Sequence, residues 1–155
     1  SVTGVQTCAL PILEFLSHVR LDQVIRSLKQ PVLGICLGMQ LLCSHSEENN
    51  TACLGIIDAP VKKIPSSPAL KVPHMGWNNL VSVKDWLDPA LESMHTYFVH
   101  SYYVPVTEWT SACCDYSVKV SAALRKDNFF AVQFHPEKSA DAGRLVLESF
   151  MKATV

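Results

Sequence analysis

Apolar and polar positions settle into a helical spacing from Leu13 onward: Leu21, Val24, Ile25 and Leu28 fall at i, i+3, i+4 and i+7, with Arg20, Asp22, Arg26 and Lys29 around them. Pro31 closes that segment, because proline cannot continue a helix. Pro31-Val32-Leu33-Gly34-Ile35-Cys36 is then a short apolar run suited to a buried strand, and residues 37–45 follow at once with helix-forming types. A strand passing straight into a helix is a sharp turn, which Gly34 and Gly38 permit. Turn formers dominate from Ser46 to Pro73, with short strands expected around Gly55-Ile56-Ile57 and Val61-Lys62. Residues 80–83 read as a further strand, and Asp88 followed by Pro89 as the cap and first position of one helical turn. Residues 96–106 alternate as a strand does, and 118–124 with 129–134 read as a hairpin around Lys126-Asp127-Asn128. A last helix is expected from Ser139, as its cap, to Lys152, with Gly143, Leu147, Phe150 and Met151 on its inner face. Alternating strands and helices without repeat or linker predict one layered α/β domain.

Composition narrows the functional classes. A chain of 155 residues suits a single domain with a proper core, and 48% hydrophobic against 17% charged residues excludes a disordered chain. Thirteen basic against 14 acidic residues leave a net charge of -1, so a basic nucleic-acid-binding tail is excluded. The apolar runs are a handful of residues long, too short for a membrane-spanning helix. The six cysteines contain no C-x-x-C pair and nothing resembles a signal peptide, so a reduced, cytoplasmic setting is expected. No His/Cys set has zinc-like spacing, and no metal is expected. Residues 2–12 resemble, letter for letter, the translation of a common sequencing-library adapter read in one frame. The expectation is a non-native scar over 1–12 and a domain over 13–155; an ordinary strand and turn is the alternative.

Two short motifs carry chemistry. In Gly34-Ile35-Cys36-Leu37-Gly38 a cysteine sits on the predicted strand-to-helix turn, where unpaired helix N–H groups would lower its pKa and the Leu37 N–H could bind an oxyanion. The alternative is a buried cysteine between two packing glycines. In Phe134-His135-Pro136-Glu137-Lys138 the histidine and glutamate are two apart at a strand end, so the carboxylate can orient the imidazole as a base. H-x-E alone is common; arriving with a cysteine elbow, it points to nucleophilic catalysis. His18, His45 and His95 read as solvated helix or loop residues.

G-I-C-L-G-M-Q beside F-H-P-E-K resembles the triad class of glutamine amidotransferases from Leu13 to the chain end. Val72-Pro73-His74-Met75-Gly76-Trp77-Asn78 and Tyr97-Phe98-Val99-His100-Ser101-Tyr102 are similar to the glutaminase subunits of imidazole glycerol phosphate synthases. The resemblance implies a flavodoxin-like three-layer α/β fold, with helices on both faces of the sheet but without the family's first βαβ elements. It implies hydrolysis of L-glutamine without a cofactor, and a (β/α)8 cyclase as partner. Cys36 matches the nucleophile, His135 the acid and base, Glu137 the orienting carboxylate. Leu37, Gln40, Ser101 and Tyr102 match substrate-binding positions, while Trp77, Asn78 and Lys138 match positions facing the partner. His74 and His100 match structural positions. Without the family's Gly-rich oxyanion loop, low activity is expected. The alternatives are a non-catalytic docking fragment and the glutaminase domain of another triad amidotransferase, such as the anthranilate or GMP synthase type.

Overall fold

The computed structural model describes residues 9–154; Cys8 and most of the adapter-like segment lie outside them. In chain order the elements are α1 (Ala9–His18), α2 (Leu21–Ser27), β1 (Val32–Ile35), α3 (Leu37–Leu42), β2 (His45–Ser46), β3 (Thr51–Ala52), β4 (Pro60–Lys63) and β5 (His74–Asn79). There follow β6 (His95–His100), β7 (Tyr102–Tyr103), β8 (Thr110–Tyr116), β9 (Val118–Lys126), β10 (Phe129–Val132) and α4 (Ala140–Ala153), with 3-10 turns at Glu48–Asn50, Pro89–Leu91 and Pro136–Lys138.

Phe129, Phe130, Ala131 and Val132 are all buried, as a strand covered on both faces must be. Accordingly β10 lies inside a four-stranded sheet of order β1-β10-β9-β8, parallel to β1 and antiparallel to β9. Its alternating side chains divide the core. Phe129 and Ala131 join Met39, Leu42, Val61 and Val104, with Leu13, Ile25 and Leu28 packed against them. Phe130 and Val132 join Trp86, Leu91, Phe98, Ala142 and Val146 on the other face. Helices therefore cover both faces of the sheet, α1 to α3 on one and α4 on the other. A second sheet runs β3-β2-β4-β7, and β5 pairs antiparallel with β6.

The β9–β10 hairpin turns on Asp127 at φ 53°. The Asn128 amide ties this loop to the chain entering β1, donating to the carbonyls of Leu28 and Gln30 at 2.9 Å each. Asp88 caps its turn as expected, accepting from the Ala90 N–H at 2.9 Å.

Several sequence expectations need correction. The helix after Cys36 ends at Leu42, because Cys43 turns extended and His45 enters β2. Gly55–Ile57 is no strand: the N–H groups of Ile56 and Ile57 both donate to the Leu42 carbonyl, folding the segment against α3. Residues 80–83 form a loop with Ser82 at φ 57°, its N–H and that of Val83 capped by the Glu92 carboxylate. The strand lies earlier, at β5. The expected strand over 96–106 breaks at Ser101 into β6 and β7. On α4, Gly143 and Phe150 face inward as expected, with Ala142, Val146 and Ser149, while Leu147 and Met151 are exposed, because the helix rolls its glycine onto the turn that precedes it. Ile25 on α2 and Leu28 just after it pack inward, but Leu21 and Val24 are exposed.

Candidate active site

Because β1 and β10 are parallel neighbours, the chain leaves both at the same edge of the sheet, where open α/β sheets place their ligands. Ile35 stands opposite Val132, and the next N–H, that of Cys36, donates to the Val132 carbonyl at 2.8 Å. Cys36 itself turns at φ 52°, ψ -108°, a conformation costly for any residue with a Cβ and typical of functional turns. Gly34 allows the turn: a Cβ there would stand 2.9 Å from the Gly38 carbonyl carbon and oxygen and 3.0 Å from Leu42 Cδ1. A Cβ on Gly38 would meet nothing within 4 Å, so the demand for a small residue falls on Gly34 rather than on both glycines.

The thiol is not the pre-formed thiolate that a helix N-terminus suggests. Burial raises the Cys36 pKa and the Glu137 charge adds to it, outweighing the Leu37 N–H, the Gln133 amide and Lys138. Desolvation wins because α3 has only six residues and the sulfur is half-buried. Its Sγ lies 3.7 Å from the Val99 carbonyl, to which it donates, and accepts from Gln133 Nε2 at 3.8 Å.

His135 leaves β10 in extended conformation, its N–H donating to the Tyr97 carbonyl at 2.9 Å. Pro136 starts the 3-10 turn that brings Glu137 back to the imidazole, with Nδ1 and Oε1 2.8 Å apart. The carboxylate only accepts, so the ring proton sits on Nδ1 and Nε2 is left as an acceptor. Burial pulls the Glu137 carboxyl upward. Hydrogen bonds from its own N–H and from His135, with the charges of His135 and Lys138, bring it below its ordinary value.

Ser139 is the N-cap residue of α4, as expected, but its side chain makes no capping bond. Its hydroxyl donates to the His135 carbonyl at 2.6 Å and accepts the Tyr97 N–H at 2.9 Å, clamping the turn to β6. A Cβ on Gly143 would lie 1.9 Å from the Pro136 carbonyl oxygen, so α4 presses backbone against backbone on the same turn.

Buried amides join these strand ends. Gln40 Nε2 donates to the Tyr102 carbonyl at 2.9 Å and to Gln133 Oε1 at 3.0 Å, and Gln133 passes the bond on to Cys36. The structure thus brings Cys36, Gln40 and Tyr102 into one network. Leu37 follows the sulfur directly, and Ser101, half-buried between β6 and β7, accepts the Ile64 N–H at 2.9 Å. Sequence reading missed Gln133. The signal was there: a glutamine inside the run Phe129 to Phe134, fully buried, must find partners.

Of the residues expected to face a partner, Trp77 is 54% exposed and not a core tryptophan. Its ring meets Tyr97 edge-on at 5.8 Å, and Lys138 Nζ stands 5.9 Å from the same tyrosine ring. With Met75 also exposed, they form an aromatic and cationic patch beside the His135 turn. The Asn78 amide donates within the chain, to the Asp115 carbonyl at 2.9 Å, in an exposed bond. His18, His45 and His95 are exposed, though His45 stands in β2 and His95 opens β6 rather than lying in a helix and a loop.

A thiol at a strand-end elbow, beside a strand end whose imidazole has a bare nitrogen and an oriented ring, is equipped for acyl transfer. Comparisons with known proteins place the chain among glutamine amidotransferases. The chain is similar to the imidazole glycerol phosphate synthase subunit HisH of Bacteroides fragilis (strain YCH46), 54% identical over 134 residues, covering 85% of this chain and 68% of the relative. The subunit of the same name from Idiomarina loihiensis is 43% identical over 154 residues, covering 98% of this chain and 76% of its own. Among solved structures, a candidate GMP synthase component of Thermoplasma acidophilum superposes with TM-score 0.63 at 19% identity, over 93% of this chain and 66% of that one. The family model for glutamine amidotransferase class-I matches residues 14–153. With its cysteine elbow and its fold in agreement, the chain belongs to the class-I glutamine amidotransferases.

Proposed function

We propose that this chain is the glutaminase subunit of an imidazole glycerol phosphate synthase, hydrolysing L-glutamine to glutamate and ammonia. The ammonia passes to a (β/α)8 cyclase partner in histidine biosynthesis. The observation that carries the reading is the pair of adjacent parallel strand ends, one bearing the Cys36 elbow and the other the His135–Glu137 hydrogen bond. Kinship with the HisH subunits supports the choice of substrate and partner.

The residue types supply the steps. His135 Nε2 takes the Cys36 proton, which the raised thiol pKa makes necessary. The sulfur attacks the glutamine side-chain amide carbon while the Leu37 N–H receives the oxyanion. His135 returns the proton to the leaving nitrogen, ammonia departs and a glutamyl thioester remains. Water then gives a proton to His135 and attacks the thioester, and the Cys36 sulfur leaves and is reprotonated. Gln40 and the backbone of Ser101 and Tyr102 hold the amino-acid end of the substrate. No cofactor takes part in these steps. Trp77 and Lys138 belong to the docking face, where a large flat ring is a typical anchor.

Among the described residues no helix is long and apolar enough to cross a membrane. The cytoplasmic setting is part of the proposal and rests on the biosynthetic role. The test measures ammonia release from glutamine with the cyclase present. Release that is lost in Cys36→Ala, together with co-elution of the cyclase, supports the reading. Capture of the cyclase without ammonia would leave a purely docking role, and capture of a different synthase would move the chain to another amidotransferase branch.

A further inference from the structure

The pairing of β5 with β6 sets His74 opposite His100, and both are buried, 3% and 6% exposed. Two imidazoles meeting edge-on in the interior persist only if their nitrogens are matched donor to acceptor. The match has one solution. His100 Nδ1 lies 2.8 Å from the Tyr102 carbonyl, which only accepts, so Nδ1 carries the proton and Nε2 is bare. That bare nitrogen is 2.9 Å from His74 Nδ1, which therefore donates. His74 Nε2 is then the acceptor for the Asn78 amide at 3.4 Å. Burial holds both rings neutral, each with its pKa lowered to about 4. Stacking on Phe98 at 4.7 Å and Tyr116 at 3.8 Å fixes the plane of His74.

The chain of bonds ends on a carbonyl already in use. Tyr102 O also accepts from Gln40, which donates on to Gln133 and through it to Cys36. Every bond from Asn78 to the sulfur has a single allowed direction. We propose that His74 and His100 are positioning residues, a neutral relay that holds the Tyr102 carbonyl, and with it Ser101 and Gln40, in the geometry that receives the amino-acid end of glutamine. This rests on the substrate reading above. The relay starts at Asn78, the neighbour of exposed Trp77, so it spans from the proposed docking strand to the substrate end.

The experiment pairs kinetics with ring spectroscopy on the full chain. His100→Leu removes the donor to Tyr102, whereas His100→Asn keeps a side-chain N–H near the place of Nδ1. The expected result is a KM for glutamine raised about tenfold in His100→Leu with kcat little changed, and a KM for His100→Asn within about threefold of the parent. Equal KM values for His100→Leu and the parent, a loss confined to kcat, or no rescue by asparagine would overturn the assignment. Ring nitrogen NMR of the unmodified protein should show His74 and His100 both as neutral Nδ1–H tautomers; a proton on Nε2 of either ring overturns the relay. If the parent chain hydrolyses no glutamine, the substrate reading is what has failed, and the tautomers alone decide the relay.

Discussion

The two strand ends that meet at the site are held in opposite ways. After β1, Cys36 is placed by its own backbone, a positive-φ turn made possible by Gly34 lying against Gly38. After β10, His135 has a relaxed extended backbone and is placed from outside, by Glu137, by the Ser139 hydroxyl, by the Tyr97 carbonyl and by Gly143 pressing on Pro136. The proposed nucleophile is positioned by local geometry and the proposed base by tertiary packing. A five-residue motif therefore announces the first, while the second depends on residues from β6 and α4.

Substitutions divide along the same line. The largest effect is expected at the base end: Glu137→Gln no longer fixes the imidazole tautomer, and kcat for ammonia release should fall on the order of 10²–10⁴-fold, read by steady-state kinetics. Next comes Gly143→Ala, whose added carbon overlaps the Pro136 carbonyl. It should destabilise the fold by about 3 kcal/mol in urea unfolding and displace the His135 turn. At the nucleophile end Gly34→Ala should cost about 2 kcal/mol, since the contact is less severe. Gly38→Ala should instead be neutral or stabilising by up to about 1 kcal/mol, because its Cβ meets open space within a helix. Equal losses at both glycines would erase the distinction between them.

The smallest and most diagnostic effect concerns protonation. With its pKa raised by burial, the Cys36 thiol is mostly protonated at neutral pH, and the thiolate is the reactive form. Its alkylation by a neutral haloacetamide should therefore keep climbing, about tenfold per pH unit, up to pH 9. A plateau near neutrality would mean a pre-formed thiolate and contradict the desolvated sulfur described above.

The elements carried by apolar runs and by turn residues were legible in sequence: β1 between Pro31 and Cys36, the β9–β10 hairpin, the Asp88 cap and the final helix. Others were not. β8, Thr110-Ser-Ala-Cys-Cys-Asp-Tyr, lacks aliphatic alternation and becomes a strand because Ala112 and Cys114 fill space beneath its partner β9. β5 holds Gly76 and two asparagines, types that disfavour strands, and is extended by its pairing with β6. The apolar stretch at 80–83 misled for the opposite reason: Leu80 is buried, but its neighbours are bent by the Glu92 carboxylate. At the proposed site, the motifs drew attention to Cys36, His135, Glu137 and Gln40, and the structure shows the His135–Glu137 bond and the amide network that runs from Gln40 to Cys36. Gln133 was marked only by its place in an apolar run, and the bonds of Ser139 and of the histidine pair could not be read, because they lie across strands.

The central claim is that the Cys36 sulfur attacks a glutamine side chain. A glutamine analogue bearing an electrophilic carbon in place of the amide, followed by peptide mass mapping, tests this most directly. The account predicts one adduct, on Cys36, suppressed by excess glutamine and strongly slowed in His135→Ala. Modification of Cys43, Cys53, Cys113 or Cys114 with Cys36 untouched, or labelling indifferent to glutamine, would contradict it.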